Sequence, residues 1–323
     1  MTLIQREILG LLRGRDNLRN RCKIVRWMQK KIILPRAMKC NSCKKKMKLH
    51  KRFQGDGYQW CCTRNAHHHT DITASVRKGS MFFRSRLSLR QHLEFIYRFS
   101  QGLRQRQMDL IEDGIAGSSR TLTKMTSALR KVCISAMTKL RQRGGMRVGG
   151  PHHFVMIDES KFSHKRKYNR GRVGSTWRRS KKWVLGILEV GVTTRKPILK
   201  IVSKRSSAQM LPVVRHYVRR GTSIITDEWR AYRGLSDLGY DHHTVCHKRH
   251  FVHPLTRAHT QHLERAWQKF KVDVWRHRAN RNTKLLKQYL KIIEWEHWLA
   301  KKHKWGILGR LLHDIRKMYK SHS

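Results

Sequence analysis

The sequence predicts an α/β domain, with a mixed sheet flanked by helices, behind a small metal-binding ribbon and a helical region. Three observations support this fold class. After residue 150, short apolar runs of strand length alternate with segments of helical periodicity. Between residues 86 and 145, apolar residues recur at helical spacing. A Cys-x-x-Cys pair near residue 40 precedes a further Cys and a run of His, which is typical of an intracellular metal site.

Proline and glycine residues and changes in pattern divide the chain into five segments. Pro35 closes a first helical stretch, and the Gly-rich residues 141–150 are the expected domain boundary. The predicted segments are N-terminal helices (1–37), a zinc ribbon (38–85), a region resembling a helix-turn-helix (86–145), the α/β domain (151–282), and C-terminal helices that pack on that domain (283–323).

The charge of the chain limits its partners. The 323 residues include 73 Lys and Arg against 20 Asp and Glu, a formal net charge of +53. Such an excess favours a polyphosphate, and the basic residues are spread along the chain rather than gathered beside an apolar anchor. No apolar run approaches the roughly 20 residues of a membrane-spanning helix. Arg6 and Glu7 disfavour a secretory signal at the N-terminus. A nucleic-acid partner and no membrane are therefore expected.

The ribbon carries the residues of a structural zinc site. Zinc takes four tetrahedral nitrogen or sulfur ligands, commonly as two close pairs on facing turns. Cys40 and Cys43 form the first pair, and the second is expected from Cys62 and His67. The neighbouring Cys61 is an alternative to Cys62, and either of the next two His is an alternative to His67. The other interpretation is a set of unpaired thiols beside a solvated His run.

The helical region 86–145 is a candidate DNA reader. Ser118 and Ser119 supply N-cap chemistry for its last helix, which turns apolar residues inward. Arg120, Lys124 and Arg130 are then available outward for phosphate contact. Helix, helix, turn and basic helix is the order of a helix-turn-helix, although a plain three-helix bundle gives the same pattern.

Within the α/β domain, three strands in a meander and then alternating helices and strands follow the order of the RNase H-like fold. Three carboxylates stand out in this acid-poor chain. Asp158 ends the first strand, Asp227 ends the fourth, and Glu264 lies on a late amphipathic helix. Acids at strand ends also form ordinary surface ion pairs or cap helices, so the pattern alone leaves both interpretations open.

Several strings in this chain resemble the DDE transposases of the Merlin superfamily and their bacterial insertion-sequence relatives. The α/β domain contains V-M-I-D-E-S, I-I-T-D-E-W-R-A-Y and H-T-Q-H-L-E-R-A-W-Q-K-F-K; the ribbon contains D-G-Y-Q-W-x-C and S-V-R-K-G-S-M-F. The resemblance covers roughly residues 25–320. It implies an RNase H-like catalytic domain with Asp158, Asp227 and Glu264 as a metal-binding triad. Where the family pattern has a fourth ribbon Cys, this chain has His67.

The triad suits phosphodiester chemistry with two Mg²⁺, for which Mn²⁺ can substitute. Two ions held ~3.5–4 Å apart activate a water, stabilise the leaving 3′ oxygen and neutralise charge on the phosphorus. Asp158 is expected to bridge the ions, and Asp227 and Glu264 to complete one shell each. The same site would hold a freed 3′-OH for joining to target DNA.

Other residues have weaker assignments. Lys248 and Arg249 before the Glu264 helix, and Lys269 and Lys271 on it, are candidates for gripping DNA, with a solvated surface as the alternative. Glu159 and Glu228 are interpreted as structural acids, since neighbours on a strand face opposite ways, and are expected to pair with a nearby Lys or Arg. Trp229 and Trp267 are expected in the core.

The leading hypothesis is a transposase that binds the terminal inverted repeats of its element, cleaves the DNA ends and joins them to target DNA. The alternative is a non-catalytic, zinc-dependent DNA-binding protein derived from a transposase. An RNA-processing nuclease has less support, because nothing resembles an RNA-recognition motif. Holding two DNA ends together implies a homodimer or higher oligomer. In a eukaryotic host, the Lys/Arg clusters predict a nuclear location.

Overall fold

The structure is a computed structural model that describes residues 1–63, 68–102, 107–151, 153–162, 183–190, 195–245, 261–277 and 282–319. The chain divides into two compact units. We call Met1–Ser135 with Leu299–Ser323 the ribbon unit, and Ala136–Trp298 the sheet unit. None of the described helices is both long enough and apolar enough to cross a membrane.

Several helices belong to the ribbon unit. Their bounds are Leu3–Arg13 (α1), Leu18–Lys30 (α2), Leu89–Ser100 (α3), Gln107–Glu112 (α4), Ser119–Gln142 (α5, which runs past the end of the unit) and Gly306–Tyr319 (α9). Side-chain oxygens cap the exposed amides at several helix starts: Thr2 and Ser88 form capping boxes with Gln5 and Gln91. The Ser118 hydroxyl accepts the Thr121 amide at 3.3 Å, in agreement with the predicted N-cap of α5.

The last helix differs from its prediction. Both C-terminal helices were expected to pack on the α/β domain, yet α9 groups with the ribbon unit, where it contacts α1 and α3. Helical periodicity predicts an apolar face and leaves the partner of that face open. Leu308, Leu311 and Ile315 on α9 are buried, as their spacing requires.

A three-stranded antiparallel sheet forms the ribbon. Its strands are Lys48–Lys51 (β1), Tyr58–Cys62 (β2) and Ile72–Ser75 (β3), in the order β1-β2-β3. Asp56, in the turn before β2, forms a 2.5 Å ion pair with Arg77, and both side chains are nearly buried. Arg77 also donates to the carbonyl oxygens of Ser85 and Leu87. This guanidinium therefore ties the ribbon to the chain that leads into α3.

The sheet unit has the mixed sheet flanked by helices that the sequence predicts. Its strands are Phe154–Lys161 (β4), Trp183–Val190 (β5), Arg195–Val202 (β6), Ser223–Asp227 (β7) and Asp241–Val245 (β8). The order is β6-β5-β4-β7-β8, antiparallel among β4, β5 and β6 and parallel among β4, β7 and β8. The helices are Ser207–Tyr217 (α6), Gln261–Arg276 (α7), Thr283–Trp295 (α8), a 3₁₀ helix at Arg230–Leu235 and a π turn at Glu296–Ala300.

One face of this sheet packs against α7 and α8. Met156 on β4, Ile225 on β7, Trp267 and Phe270 on α7, and Ile293 on α8 belong to the same buried cluster. Because side chains alternate along a strand, residues two apart from Met156 and Ile225 face α7 as well. The segment after β7 forms only the short 3₁₀ helix Arg230–Leu235.

Helix α8 and the π turn cover the open edge of β6. An edge strand leaves every second backbone group unpaired. Here the Glu294 carboxylate accepts the Leu199 amide at 2.8 Å, and the Trp298 indole donates to the Pro197 carbonyl at 2.7 Å. His297 Nδ1 lies 3.2 Å from the Arg195 carbonyl oxygen. The backbone of β6 is thus hydrogen-bonded on both sides.

Replacing Glu294 by Ala should destabilise the sheet unit strongly. The Glu294 side chain is 0 % exposed and also accepts from the Lys291 ammonium. Its removal leaves that ammonium and the Leu199 amide buried without a partner, at a cost of about 3–5 kcal/mol. Urea unfolding of the variant measures the loss. Lys287→Ala changes an exposed charge on the same helix and should stay within about 0.5 kcal/mol of the wild type. Equal stability of the two variants would contradict this account.

Candidate metal sites and their surroundings

The turn that carries Cys40 and Cys43 is shaped to present both thiols. The Cys40 amide donates to the Lys45 carbonyl at 2.9 Å, and the Lys44 amide donates back to the Cys40 carbonyl at 3.1 Å. Lys44 adopts a positive φ of 59°, which lets the chain reverse directly after Cys43. A pairing between Lys39 and Lys46 closes the base of the turn.

Cys62, at the end of β2, and His68 complete a four-residue cluster with these thiols. One potential ligand atom from each residue lies within 4.8 Å of all the others. The Cys62 sulfur is 3.5 Å from that of Cys43 and 3.3 Å from His68 Nε2. Zn–S and Zn–N bonds of about 2.3 and 2.0 Å imply tetrahedral edges of about 3.8 Å between sulfurs and about 3.5 Å from sulfur to nitrogen. The cluster therefore fits zinc after small shifts of the ligand atoms.

The orientation of His68 favours the same interpretation. Its Nδ1 lies 2.8 Å from the Thr70 carbonyl oxygen, which can only accept a hydrogen bond. Nδ1 must then carry the proton, so Nε2 directs its lone pair at the thiols, as metal-bound His residues do. Burial, and next the Cys43 and Cys40 thiols, raise the pKa of Cys62 to about 11. A bound divalent cation keeps such thiols ionised.

The sequence analysis predicted a different histidine as the fourth ligand. His67 was the expected fourth ligand, and it lies outside the described residues; the imidazole that the structure brings to the thiols is that of His68. Ligand spacing alone could not distinguish three consecutive His, since the choice depends on how the chain turns after β2. Cys61, the alternative to Cys62, is only half-buried and is not part of the cluster.

In the sheet unit, Asp158 and Asp227 lie at the same level of neighbouring strands. The parallel ladder pairs Met156 of β4 with Ile225 of β7. Two residues farther along each strand come the two aspartates, on the face that packs against α7. Neighbouring strands are about 4.8 Å apart, so this register brings the two carboxyl groups to one edge of the sheet.

Trp267 connects Asp158 to the helix that carries Glu264. Its indole nitrogen donates to Asp158 Oδ2 at 2.9 Å, and the Glu159 amide donates to Oδ1 at 2.7 Å. The indole lies over Gly186, the cross-strand partner of Asp158. Trp267 is buried, as predicted, and Glu264 lies three residues before it, exposed in the first turn of α7. The positive end of the helix dipole favours a carboxylate there.

The three acids do not form a second tight ligand group in the part of the chain that the structure describes. The ribbon cluster is the group there whose ligand atoms lie close enough to share one ion. Asp227 is tied down separately: its Oδ1 accepts the Trp229 amide at 3.1 Å, and its Oδ2 lies 3.8 Å from the Arg205 guanidinium. Asp158 and Asp227 share an edge of the sheet, and Glu264 is linked to them through Trp267.

Glu159 has the structural role predicted for it. Its side chain is fully buried and accepts from Arg205 Nε at 2.8 Å and from the Tyr232 hydroxyl, and it forms an ion pair with Arg205 Nη2 at 2.7 Å. Burial raises the pKa of Glu159, and the hydrogen bonds from Tyr232 and Arg205 oppose that shift. Burial, and next the Glu159 charge, raise the pKa of the Tyr232 phenol. No sequence motif marks Arg205, which lies in the loop between β6 and α6.

The predicted DNA contacts have mixed surroundings. Arg120 and Lys124 on α5 are exposed, and so is Lys269 on α7. Arg130 is half-buried with its Nε shielded from solvent, and Lys271 is half-buried. Lys248 and Arg249 lie outside the described residues. Trp229, expected in the core, is instead 37 % exposed, because the helix around it is a short 3₁₀ turn at the edge of the sheet.

We expect Cys62→Ser and His68→Ala to lose bound zinc and to lower the melting temperature of the ribbon unit. Each change removes one of four ligands, and the binding free energy of a structural zinc is folding free energy. Zinc content by mass spectrometry and a thermal melt measure the two effects. Cys61→Ser and His69→Ala are matched controls one residue away, and both should keep one zinc per chain. Zinc loss in the controls alone would show that the ligand set is wrong.

Gly186→Ala should destabilise the sheet unit by about 1–3 kcal/mol, the usual cost of overpacking. A methyl group at this position would overlap Cζ2 and Cη2 of Trp267 and push the indole away from Asp158. Denaturant unfolding followed by tryptophan fluorescence measures the change. Gly234→Ala meets the Leu211 side chain at 3.4 Å and Asp237 Oδ2 at 4.0 Å, both ordinary contacts, and should be nearly neutral. A neutral Gly186→Ala would show that the indole is not held against β5.

Comparison with protein families gives a match that covers most of the sheet unit. Residues 147–297 match the model of the ISXO2-like transposase domain. This segment begins shortly before β4 and ends in the π turn after α8, so it contains all three candidate acids. The match supports a DDE transposase family and a transposase-type function for this part of the chain.

Comparisons with individual proteins add little to the family match. No curated protein matches the chain. Among solved structures, one similar chain comes from the cryo-electron-microscopy structure of the simian T-cell lymphotropic virus intasome in complex with PP2A regulatory subunit B56 gamma. It shares 16 % identity and a TM-score of 0.32, over 52 % of this chain and 56 % of that one. The alignment thus spans little more than half of either chain.

Proposed function

We propose that the protein is a DNA transposase of the Merlin type, which binds the terminal inverted repeats of its element, cleaves the DNA ends and joins them to target DNA. The observation that carries the proposal is the placement of Asp158 and Asp227. They occupy the same level and the same face of two neighbouring parallel strands, within the segment that matches a transposase domain.

The topology of the sheet unit supports an RNase H-like interpretation. An antiparallel meander of three strands continues, through β4, into two parallel strands, with helices between them. In this arrangement β4 is central, and its carboxyl end lies beside that of β7. Asp158 and Asp227 are half-buried at that edge, and α7, which carries the exposed Glu264, borders the same face.

The residues at this edge suit a reaction on a phosphodiester. Asp158, Asp227 and Glu264 would hold two Mg²⁺ or Mn²⁺, which supply an activated water and charge neutralisation at the phosphorus. Carboxylate oxygens are the donors that these hard cations prefer. Trp267 fixes one oxygen of Asp158, and the Trp229 amide fixes one of Asp227, so each acid is oriented before substrate arrives. The site residues can thus present carboxylate charge at fixed positions.

The ribbon unit would supply the binding of DNA ends. Between residues 39 and 55 the chain carries no acid, and its exposed cations include Lys44, Lys45, Lys46, Lys48 and Lys51. The zinc cluster fixes this basic segment, and Arg120 and Lys124 on α5 present further positive charge. Such surfaces bind phosphates in a strongly salt-dependent way. We propose that the DNA-bound form is a dimer or higher oligomer, since strand joining needs two ends.

Asp158→Asn tests the enzymatic part of the proposal. The variant should bind DNA ends as the wild type does but lose cleavage and strand joining by ~10²–10³-fold or more, since it removes a charge from the reaction site. The assay incubates the protein with Mg²⁺ or Mn²⁺ and a plasmid that carries the inverted repeats flanking the gene. Asp237→Asn, an exposed acid of the same unit, is the control and should keep full activity.

Full activity of Asp158→Asn would refute the enzymatic proposal. Wild-type protein that binds the repeats tightly and cleaves nothing with either metal would instead favour the alternative, a non-catalytic DNA-binding protein derived from a transposase.

A further inference from the structure

Arg205 lies beside the candidate site, at the carboxyl edge of the sheet. It follows the end of β6, which runs in the same direction as β4 and β7. Its guanidinium carbon is 4.8 Å from the ring centre of Trp183 and 4.4 Å from that of Trp229. The Trp229 indole also donates to the Arg205 carbonyl at 3.2 Å. Two rings and one backbone hydrogen bond therefore hold this residue.

The hydrogen bonds of Arg205 use only one side of the guanidinium. Nε donates to the buried Glu159 carboxylate at 2.8 Å, while Nη2 forms an ion pair with the same oxygen at 2.7 Å and lies 3.8 Å from Asp227 Oδ2. Nη1 has no protein partner among the residues that the structure describes, and the side chain is 24 % exposed. A guanidinium has five N–H donors in a rigid plane, so two of them remain available to a ligand.

We propose that Nη1 of Arg205 donates to a phosphate oxygen of the DNA strand that lies against Asp227. This assignment rests on the proposed function and adds a substrate contact to it. Arginine can make this contact because its planar guanidinium can donate to a carboxylate from one side and to a phosphate from another. The flanking indoles hold the plane in place, so little freedom is lost when DNA binds.

The competing explanation is that Arg205 only neutralises Glu159. A single change at Arg205 cannot separate the two roles, because it leaves the buried Glu159 carboxylate without its cation. The double variant Glu159→Gln/Arg205→Gln can: it removes both charges and keeps groups that hydrogen-bond to each other and to Tyr232. A merely structural arginine predicts that this neutral pair restores wild-type behaviour.

The chain offers a matched control in the same sheet. Glu189 on β5 is a buried carboxylate that pairs with Lys196 at 2.6 Å, and Lys196 lies 5.7 Å from the ring centre of Trp298. Glu189 is the cross-strand partner of Val155, toward the other edge of the sheet from Asp158. Glu189→Gln/Lys196→Gln therefore neutralises an equivalent pair away from the proposed phosphate.

The experiment compares full-length wild type with the two double variants. Binding to a short duplex of the inverted repeat, measured by fluorescence anisotropy from 50 to 300 mM KCl without divalent metal, gives the salt slope. Losing one phosphate contact should reduce the slope of log affinity against log salt by about 1. Cleavage with Mg²⁺ should fall about 10- to 100-fold in kcat/KM, the scale of one hydrogen bond to a charged group. The control pair should change neither quantity.

A Glu159→Gln/Arg205→Gln protein with the salt slope and cleavage rate of wild type would overturn the proposal. If this variant melts early, Arg205→Lys decides by the same two measurements: its single ammonium can pair with Glu159 but cannot also reach a phosphate. Wild-type protein that never cleaves would refute the proposed function, while the salt slope would still test the Arg205 contact.

Discussion

The pairing of β4 with β7 is the interaction on which the sheet unit depends. Its register places Asp158 and Asp227 at one level, and a slip of one residue would turn one of them to the opposite face. At that edge Arg205, from the loop after β6, lies between Glu159 and Asp227. The fixed spacing of paired strands thus brings together two groups that lie 69 residues apart in sequence, Asp158 and Asp227.

Scarce acids are concentrated where they organise the fold. The chain has 20 acids in 323 residues, yet the described part of the sheet unit buries three glutamates, each paired with a cation: Glu159 with Arg205, Glu189 with Lys196, and Glu294 with Lys291. A buried carboxylate without a partner would cost several kcal/mol. Two of the three also accept a backbone amide, Gly149 for Glu189 and Leu199 for Glu294, so they fix the chain around the sheet as well.

The ribbon solves a different physical problem. Its strands of four or five residues are too short to enclose a large core, and the Cys and His cluster with the Asp56–Arg77 pair supplies cross-links instead. A zinc at this cluster would hold a segment whose lysines repel one another. Stability of the ribbon and its positive surface are therefore coupled, because the residues that create the charge lie between the ligands.

The sequence by itself determined the kinds of elements, their order and the types of residue that can hold metal. Apolar periodicity is a local property, so the strands and most helices fall where it predicts. Only the tertiary structure decided which elements meet. It brought His68 to the thiols, placed α9 in the ribbon unit and exposed Trp229. It also placed Arg205, which no sequence motif marks, at the edge that bears two aspartates. Those outcomes depend on contacts between residues far apart in the chain, which spacing within a segment cannot encode.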